Sequence, residues 1–298
     1  MTLPAAPLGR VLTAIVTPFT AEGAVDLDGL QQVAHHLVQN GNDGIVVSGT
    51  TGESPTTTVA EDGQILRAVL EAVGDRATVV AGVGTNDTAH SIELNRQAEK
   101  AGADGVLLVS PYYNKPSQEG IAAHFEAVAA SADLPIMLYD IPGRTGVAIA
   151  PETFARVARN PKFVAVKDAA GDLFRGVKVM AETGLAYYSG DDVLNLGWLT
   201  HGGVGLVSVV GHVTGNQYAE MVACVDKGDL EGAFAIYRDL VPVVDAIMRA
   251  APGVMTVKAA LQLTGVLDNR RVRLPLVEAD DALVATVRDA LAGTGLIR

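Results

Sequence analysis

The sequence predicts an α/β protein, a (β/α)₈ TIM barrel with a C-terminal α-helical extension. Short β-branched runs alternate with longer helical patterns from Val11 onward, and this order repeats eight times. Each unit takes about 25 to 30 residues, which suits a closed eight-stranded barrel. The alternative is an open doubly wound sheet. It is disfavoured by the regular repeat and by the lack of a dinucleotide fingerprint after the first strand.

The predicted strands are short apolar runs bounded by turn residues. They lie at residues 11–17, 44–49, 78–83, 105–110, 135–140, 163–168, 185–189 and 205–210. Helical patterns between them include residues 27–39, 60–73, 88–100 and 118–132. Acidic residues often stand near the helix starts, where they interact favourably with the helix dipole.

The chain after the eighth strand is too long for one closing helix. Its pattern predicts helices near residues 216–226, 229–249, 254–264 and 280–292. No low-complexity linker precedes them. We therefore expect residues 1–214 to form the barrel, and residues 215–298 to supply the eighth barrel helix and an extension packed on the barrel.

Composition limits the possible partners and location. The 298 residues are 49% hydrophobic and carry a net charge of −12, so neither nucleic acid nor an anionic membrane is an expected partner. Cys224 is the only cysteine, which excludes an internal disulfide and fits a reducing, cytoplasmic setting. Residues 1–20 contain one basic residue, and the apolar run 11–16 is too short for a signal core or membrane span, so we expect no export signal.

The predicted strand 163–168 ends in a lysine. Alternation places Phe163, Ala165 and Lys167 on one face, and a strand that is apolar on both faces belongs to a covered parallel sheet. The carboxyl ends of such strands open into the ligand crevice. Burial there would lower the pKa of Lys167 and leave an amine that can attack a ketone to form a Schiff base. The alternative is a lysine that extends to solvent.

Residues 48–54 (SGTTGES) follow the second strand. Their glycines allow tight turning, and their backbone N–H groups and hydroxyls could bind an anion. The alternative is a helix start with Ser54 or Thr56 as its N-cap.

Tyrosines and an arginine follow the fourth and fifth strands. The adjacent Tyr112 and Tyr113 must point to opposite sides of the chain. Tyr139 ends the fifth strand, and Arg144 follows on a loop where its planar fork would suit a substrate carboxylate. Singly, each tyrosine could be a core residue with a satisfied hydroxyl. Together with Lys167 they form a proton-handling set.

Residues 189–192 (SGDD) end the seventh strand. Paired aspartates could bind a metal, but a helix N-cap is the favoured interpretation. The six histidines lack metal-ligand spacing. We expect neither a metal nor a nucleotide cofactor.

The ordered series of residues 49–53 (GTTGE), Tyr112 with Tyr113, Tyr139 with Arg144, Lys167 and residues 189–192 resembles the dihydrodipicolinate synthases, within the pyruvate-dependent class I aldolase and lyase family. The match runs along nearly the whole chain. The resemblance implies condensation of pyruvate with L-aspartate 4-semialdehyde, in diaminopimelate and lysine biosynthesis, by a cytoplasmic homotetramer built from tight dimers. The alternative within the family is an N-acetylneuraminate or 2-keto-3-deoxy-sugar acid lyase. A non-enzymatic binding barrel is disfavoured because the whole set is present.

The resemblance also implies a role for each residue. Lys167 would form the Schiff base, and Thr51 would hold the pyruvate carboxylate. Tyr139 would be the general acid and base. The remaining implied roles are a proton relay through Thr50 and through Tyr113 of an adjacent subunit, aldehyde carboxylate binding by Arg144, and pyruvate contacts from Gly190 and Val207.

Some positions depart from the family pattern. Asp140 stands where many members have asparagine, and alternation should turn it away from Tyr139. In the allosteric lysine site that the resemblance implies, Asn86 and Tyr112 match. His90, Val59 and Pro55 do not, and His90 replaces the glutamate that would bind the lysine amine. We therefore expect feedback inhibition by lysine to be weak or absent.

Overall fold

Eight parallel strands close into a barrel in simple sequence order. The computed structural model describes residues 5–297. The strands are β1 (Val11–Ala14), β2 (Gly44–Val47), β3 (Thr78–Gly82), β4 (Gly105–Val109), β5 (Ile136–Asp140), β6 (Phe163–Asp168), β7 (Ala186–Ser189) and β8 (Gly205–Ser208). The predicted fold class is confirmed, although several predicted strands ran past the last paired residue because the loops that follow are also apolar.

Helices surround the barrel and continue beyond it. They are α1 (Leu27–Gln39), α2 (Val59–Val73), α3 (Thr88–Ala101), α4 (Gln118–Ala129), α5 (Pro142–Thr145), α6 (Pro151–Val157), α7 (Leu173–Thr183), α8 (Asn195–Thr200), α9 (Gly211–Asp226), α10 (Leu230–Met248), α11 (Gly253–Leu263) and α12 (Asp281–Gly293). Short 3₁₀ turns at Ser54–Thr56 and Asp192–Leu194 follow β2 and β7.

Side-chain caps fix where several of the helices begin. Asp26 accepts a hydrogen bond from the Gly29 amide at the start of α1. Thr58 and Glu61 form a reciprocal capping box at the start of α2. The alternative in which Ser54 or Thr56 capped this helix is therefore wrong, because those residues form a separate 3₁₀ turn and the capping-box spacing belongs to Thr58.

The core has two layers, as expected of such a barrel. One layer fills the barrel interior and includes Leu12, Val80, Met137 and Tyr188. The larger layer lies between the strands and the surrounding helices. Alternate residues of each strand therefore face inward and outward, and every strand is buried on both sides.

A register shift interrupts this alternation in β6. Ile136 of β5 pairs with Phe163, but the next residue of β5 pairs with Ala165, so Val164 is an extra residue. Phe163 consequently packs in the outer layer beside Phe125, while Ala165 points into the barrel. The prediction that Phe163 shares a face with Lys167 is wrong for this reason.

The C-terminal helices return to the carboxyl end of the barrel. Helix α10 packs on α9 and α12, and α11 contacts α9, α10 and α12. Pro252, Gly253 and Val254, at the start of α11, form part of the wall of the cavity described below. Within residues 5–297 no single helix is long and apolar enough to cross a membrane, and α10 and α11 reach that length and hydropathy only as a pair bent by 115°.

Candidate active site

A cavity of about 460 Å³ lies at the carboxyl ends of the strands, the end at which TIM-barrel enzymes carry their active sites. Six of the eight predicted site residues line it, and they come from the ends of four different strands or the loops that follow them. They are Thr50, Thr51, Tyr139, Arg144, Lys167 and Gly190.

Lys167 lies inside the barrel rather than in solvent, and only 5% of the residue is exposed. It pairs in register with Tyr139 on the neighbouring strand, and its Nζ lies 4.4 Å from the centroid of the Tyr139 ring. Burial lowers the pKa of Lys167 to about 8, with Arg144 acting in the same direction and Asp192 opposing it. About a tenth of this lysine is therefore a free amine at pH 7, far more than for a solvent-exposed lysine.

Tyr139 is buried beside Lys167, with 6% of the residue exposed. Burial raises its pKa, and the negative charge of Asp191 acts in the same direction. The resting phenol is consequently neutral and carries a proton that it can donate. An amine nucleophile and a neutral phenol thus share one cavity.

The loop of residues 49–53 forms one side of this cavity. Thr51 is buried, whereas Thr50 is exposed in the single chain. The Glu53 amide donates to the Thr50 carbonyl at 3.1 Å, and the Thr17 hydroxyl donates to the Gly52 carbonyl at 2.7 Å. Glu53 has the left-handed backbone conformation, with φ of 57°, which is unusual for a residue other than glycine.

A second cavity of about 320 Å³ adjoins the first, and Thr50, Tyr139 and Arg144 line both. Tyr112 and Tyr113 line only the second cavity. Tyr113 is 88% exposed with φ of 74°, whereas Tyr112 is partly buried. The two tyrosines therefore have different environments, and the Tyr113 side chain is open to solvent at the edge of the second cavity.

Of the remaining predicted site residues, Gly190 lines the cavity and Val207 does not. A Cβ atom at Gly190 would lie 2.8 Å from Cγ of Lys167, so the missing side chain leaves room for the lysine. Val207 is buried inside the barrel and does not line the cavity. Val209, two residues further on, does line it.

The paired aspartates stabilise the backbone. The Asp191 side chain caps the 3₁₀ turn after β7, which confirms the N-cap interpretation. Asp192 accepts hydrogen bonds from the Val209 and Val210 amides at 2.8 and 3.2 Å and from the Ser208 hydroxyl. Within residues 5–297, no group of three or more His, Cys, Asp and Glu residues could hold a metal ion.

Two buried ion pairs near the cavity were not anticipated. Asp140 faces away from Tyr139, as predicted, and its carboxylate pairs with Arg175 at 2.8 Å. Glu53 pairs with Lys258 of α11 at 2.6 Å, and both side chains are almost fully buried. A lone lysine in the apolar sequence of α11 was the only signal for the second pair.

Comparisons with known proteins agree with this geometry. A sequence model of the dihydrodipicolinate synthetase family matches residues 7–293. The 4-hydroxy-tetrahydrodipicolinate synthases of Kineococcus radiotolerans and Acidothermus cellulolyticus are 59% and 58% identical over 293 and 290 residues, covering 98% and 97% of this chain and 95% and 94% of theirs. The crystal structure of a dihydrodipicolinate synthase from Cyanidioschyzon merolae with lysine bound superimposes with a TM-score of 0.93 at 43% identity, covering 97% of this chain and 99% of that one.

Proposed function

This chain belongs to the dihydrodipicolinate synthetase family, and we propose from that premise that it is a lyase condensing pyruvate with L-aspartate 4-semialdehyde. The product is 4-hydroxy-tetrahydrodipicolinate, an intermediate of diaminopimelate and lysine biosynthesis. The observation that carries the proposal is the buried Lys167 amine beside Tyr139, in a cavity that also holds Thr51 and Arg144.

Lys167 begins the reaction. Its free amine attacks the keto carbon of pyruvate, the C–N bond forms, and the carbonyl oxygen leaves as water, which gives an iminium. The lowered pKa of Lys167 supports this role, because only the neutral amine can attack. The buried Thr51 holds the pyruvate carboxylate through its hydroxyl and backbone amide.

The iminium then draws electrons from the pyruvate methyl group. Loss of one methyl proton gives an enamine, whose carbon attacks the aldehyde of the second substrate. Tyr139 transfers these protons, and Thr50 and Tyr113 relay them between Tyr139 and solvent. Two observations support this assignment: the resting phenol of Tyr139 is neutral, and the centroid of its ring lies 4.4 Å from Nζ of Lys167.

Arg144 binds the carboxylate of the aldehyde substrate at the mouth of the cavity. Its position on the short helix α5 leaves the guanidinium exposed and able to make a bidentate contact. The amine of the bound aldehyde then attacks the iminium carbon, closes the ring and releases Lys167. Gly190 leaves space for the adduct, and the backbone carbonyl of Val207 is assigned to a contact with the bound pyruvate.

The proposed assembly is a homotetramer made from two tight dimers, which acts in the cytoplasm on small-molecule substrates. The position of Tyr113 supports the dimer, because this residue is 88% exposed and lines the second cavity. A side chain in that position is available to complete the relay of a neighbouring chain.

Borohydride reduction tests the proposal. Reduction in the presence of pyruvate should add one pyruvate-derived group per chain at Lys167, because an iminium is reducible and a free lysine is not. Intact-mass analysis and peptide mapping measure the result, with Lys167→Ala as the control. No adduct, or an adduct at another lysine, would overturn the assignment of the nucleophile.

A second assay separates the synthase from a sugar-acid lyase. Both enzymes would form the pyruvate adduct, but only the synthase consumes it with L-aspartate 4-semialdehyde. Turnover with a sugar aldehyde in place of the semialdehyde would favour the lyase.

A further inference from the structure

The geometry points to Lys258 as a positioning residue for pyruvate: we propose that it fixes Glu53 and thereby the backbone of residues 49–53 that holds the substrate carboxylate. This inference rests on the proposed function and extends it to a residue of the C-terminal extension. Lys258 does not line the cavity and touches no reacting atom. It would act through Glu53.

Both oxygens of the Glu53 carboxylate are held by the C-terminal extension. Lys258 Nζ donates to Oε1 at 2.6 Å, and the Arg273 backbone amide donates to Oε2 at 2.8 Å. Lys258 also donates to the Arg271 carbonyl at 2.6 Å, and its Nζ lies 4.3 Å from the centroid of the Phe19 ring. The exposed fractions of the Lys258 and Glu53 side chains are only 1% and 2%.

The side chain of Arg273 holds the residues that follow this loop. Its guanidinium binds the Glu61 carboxylate through two nitrogens, at 2.6 and 3.1 Å, and donates to the Thr56 carbonyl at 2.8 Å. It also lies over the Phe19 ring, 4.4 Å from its centroid. The extension therefore fixes the left-handed residue Glu53 itself and the residues that follow it, up to Glu61.

The connection to the substrate site is short. The Glu53 amide donates to the Thr50 carbonyl at 3.1 Å, and the Ser54 amide donates to the Gly49 carbonyl at 3.3 Å. Movement of Glu53 consequently moves the backbone on either side of Thr51. Because a non-glycine residue in the left-handed region is conformationally unfavourable, Glu53 needs external contacts to keep this conformation.

A buried ion pair is a poor choice if stability alone is required. Desolvation of two charges offsets much of their attraction, and apolar replacements are often equally stable. The same pair is effective at selecting one backbone geometry, since both carboxylate oxygens have fixed partners. A positioning role therefore predicts a change in pyruvate affinity, whereas a purely structural role predicts a change in stability alone.

The test uses Lys258→Met, the double variant Lys258→Met/Glu53→Gln, and the conservative Lys258→Arg. The double variant has no unpaired buried charge, yet it lacks the ion pair. Arg10→Met is the matched control, because Arg10 pairs with Asp226 and binds the Val204 carbonyl at the opposite end of the barrel. For each protein, the pyruvate dependence of borohydride trapping and the melting temperature are measured.

We expect Lys258→Met and the double variant to need about ten- to a hundredfold more pyruvate for half-maximal trapping, the usual effect of a displaced binding group. At saturating pyruvate, both should trap at Lys167 within about threefold of the wild-type rate, because the lysine itself is undisturbed. Lys258→Arg should recover most of the pyruvate affinity. Arg10→Met should lower the melting temperature without changing the pyruvate dependence.

Normal pyruvate dependence in the folded double variant would overturn the positioning role, as would an equal shift in Arg10→Met. If Lys258→Met does not fold, the double variant decides the question. Failure of the wild-type protein to trap pyruvate would refute the proposed function instead, so the two failures can be distinguished.

Discussion

Gly190 lies against Lys167 so closely that a Cβ atom at position 190 would be 2.8 Å from the Cγ of the lysine and 3.0 Å from the Asp168 carbonyl oxygen. Two carbon atoms 2.8 Å apart would overlap, so the lysine side chain would have to shift. The glycine is therefore required by the nucleophile beside it.

Gly190→Ala should slow pyruvate adduct formation at least about tenfold, because a displaced amine no longer reaches the carbonyl in the productive direction. Trapping rates followed by intact mass give the measurement. Gly293→Ala is the matched control, since a Cβ there meets no atom within 4 Å. If Gly190→Ala forms the pyruvate adduct at the wild-type rate, the Lys167 side chain tolerates a methyl group at position 190 and the prediction is wrong.

Adduct formation should depend on pH through Lys167. Its pKa is lowered to about 8, so the free-amine fraction rises with pH and levels off above that value. At subsaturating pyruvate, the rate should fall about tenfold for each pH unit below about 8. Single-turnover measurements between pH 6 and 9 provide the profile. A rate that is flat between pH 6 and 8 would mean that the amine is not the titrating group.

Arg144→Lys should impair use of the aldehyde far more than reaction with pyruvate. An ammonium cannot reproduce a bidentate carboxylate contact, and the expected loss in kcat/KM for the aldehyde is about 2 to 3 kcal/mol. Steady-state kinetics with each substrate varied in turn test this. If Arg144→Lys reduces pyruvate trapping as much as it reduces kcat/KM for the aldehyde, Arg144 has a different role.

The proposed relay through Tyr113 makes activity depend on two chains. Lys167→Ala and Tyr113→Phe should each be inactive or nearly so. Mixed under conditions of subunit exchange, they should regain roughly a quarter of wild-type activity, because half of the dimers are hybrids and one site in each hybrid is intact. If hybrids form and no activity returns, Tyr113 acts within its own chain.

Lysine should inhibit this enzyme weakly or not at all. The resemblance to the family implies that His90 stands in place of the glutamate that would bind the lysine amine. Glu53 cannot replace that glutamate, because both of its oxygens are engaged by the C-terminal extension. The nearby Asp62 accepts a hydrogen bond from Thr57, and burial raises its pKa.

Loss of the charged partner should weaken the binding free energy of lysine by about 1.5 to 3 kcal/mol, which lowers the affinity for lysine about ten- to a hundredfold. Initial rates with millimolar lysine at subsaturating pyruvate are the measurement. Clear inhibition, with lysine bound beside Tyr112 and Asn86, would contradict the prediction and mean that Asp62 or another nearby carboxylate replaces the glutamate.

The local sequence pattern predicted most of the fold, because each βα unit contains its own apolar periodicity, helix caps and turn residues. The bounds of α1 were predicted to the residue, since Asp26 caps one end and the apolar periodicity stops at the other. The inverted orientation of Phe163 could not be predicted. It results from a register shift against Ile136 on the neighbouring strand, and register depends on pairing between strands.

The same distinction applies to the candidate site. Lys167, Tyr139 and Arg144 could be found because each lies at or shortly after the carboxyl end of a strand, and these ends converge by geometry. The pairing of Glu53 with Lys258 joins residues 205 positions apart. It depends on how the last helices fold back over the barrel, and no local pattern in the sequence encodes that path.

The order of synthesis gives this pairing a further consequence. Ribosomes make the chain from its N-terminus, and early segments can begin to fold before later ones emerge. All eight strands are available well before Lys258 and Arg273 have been translated. A nascent barrel would therefore lack the partners of Glu53 and hold an incompletely fixed pyruvate loop, so full affinity for pyruvate should appear only once the chain is nearly finished.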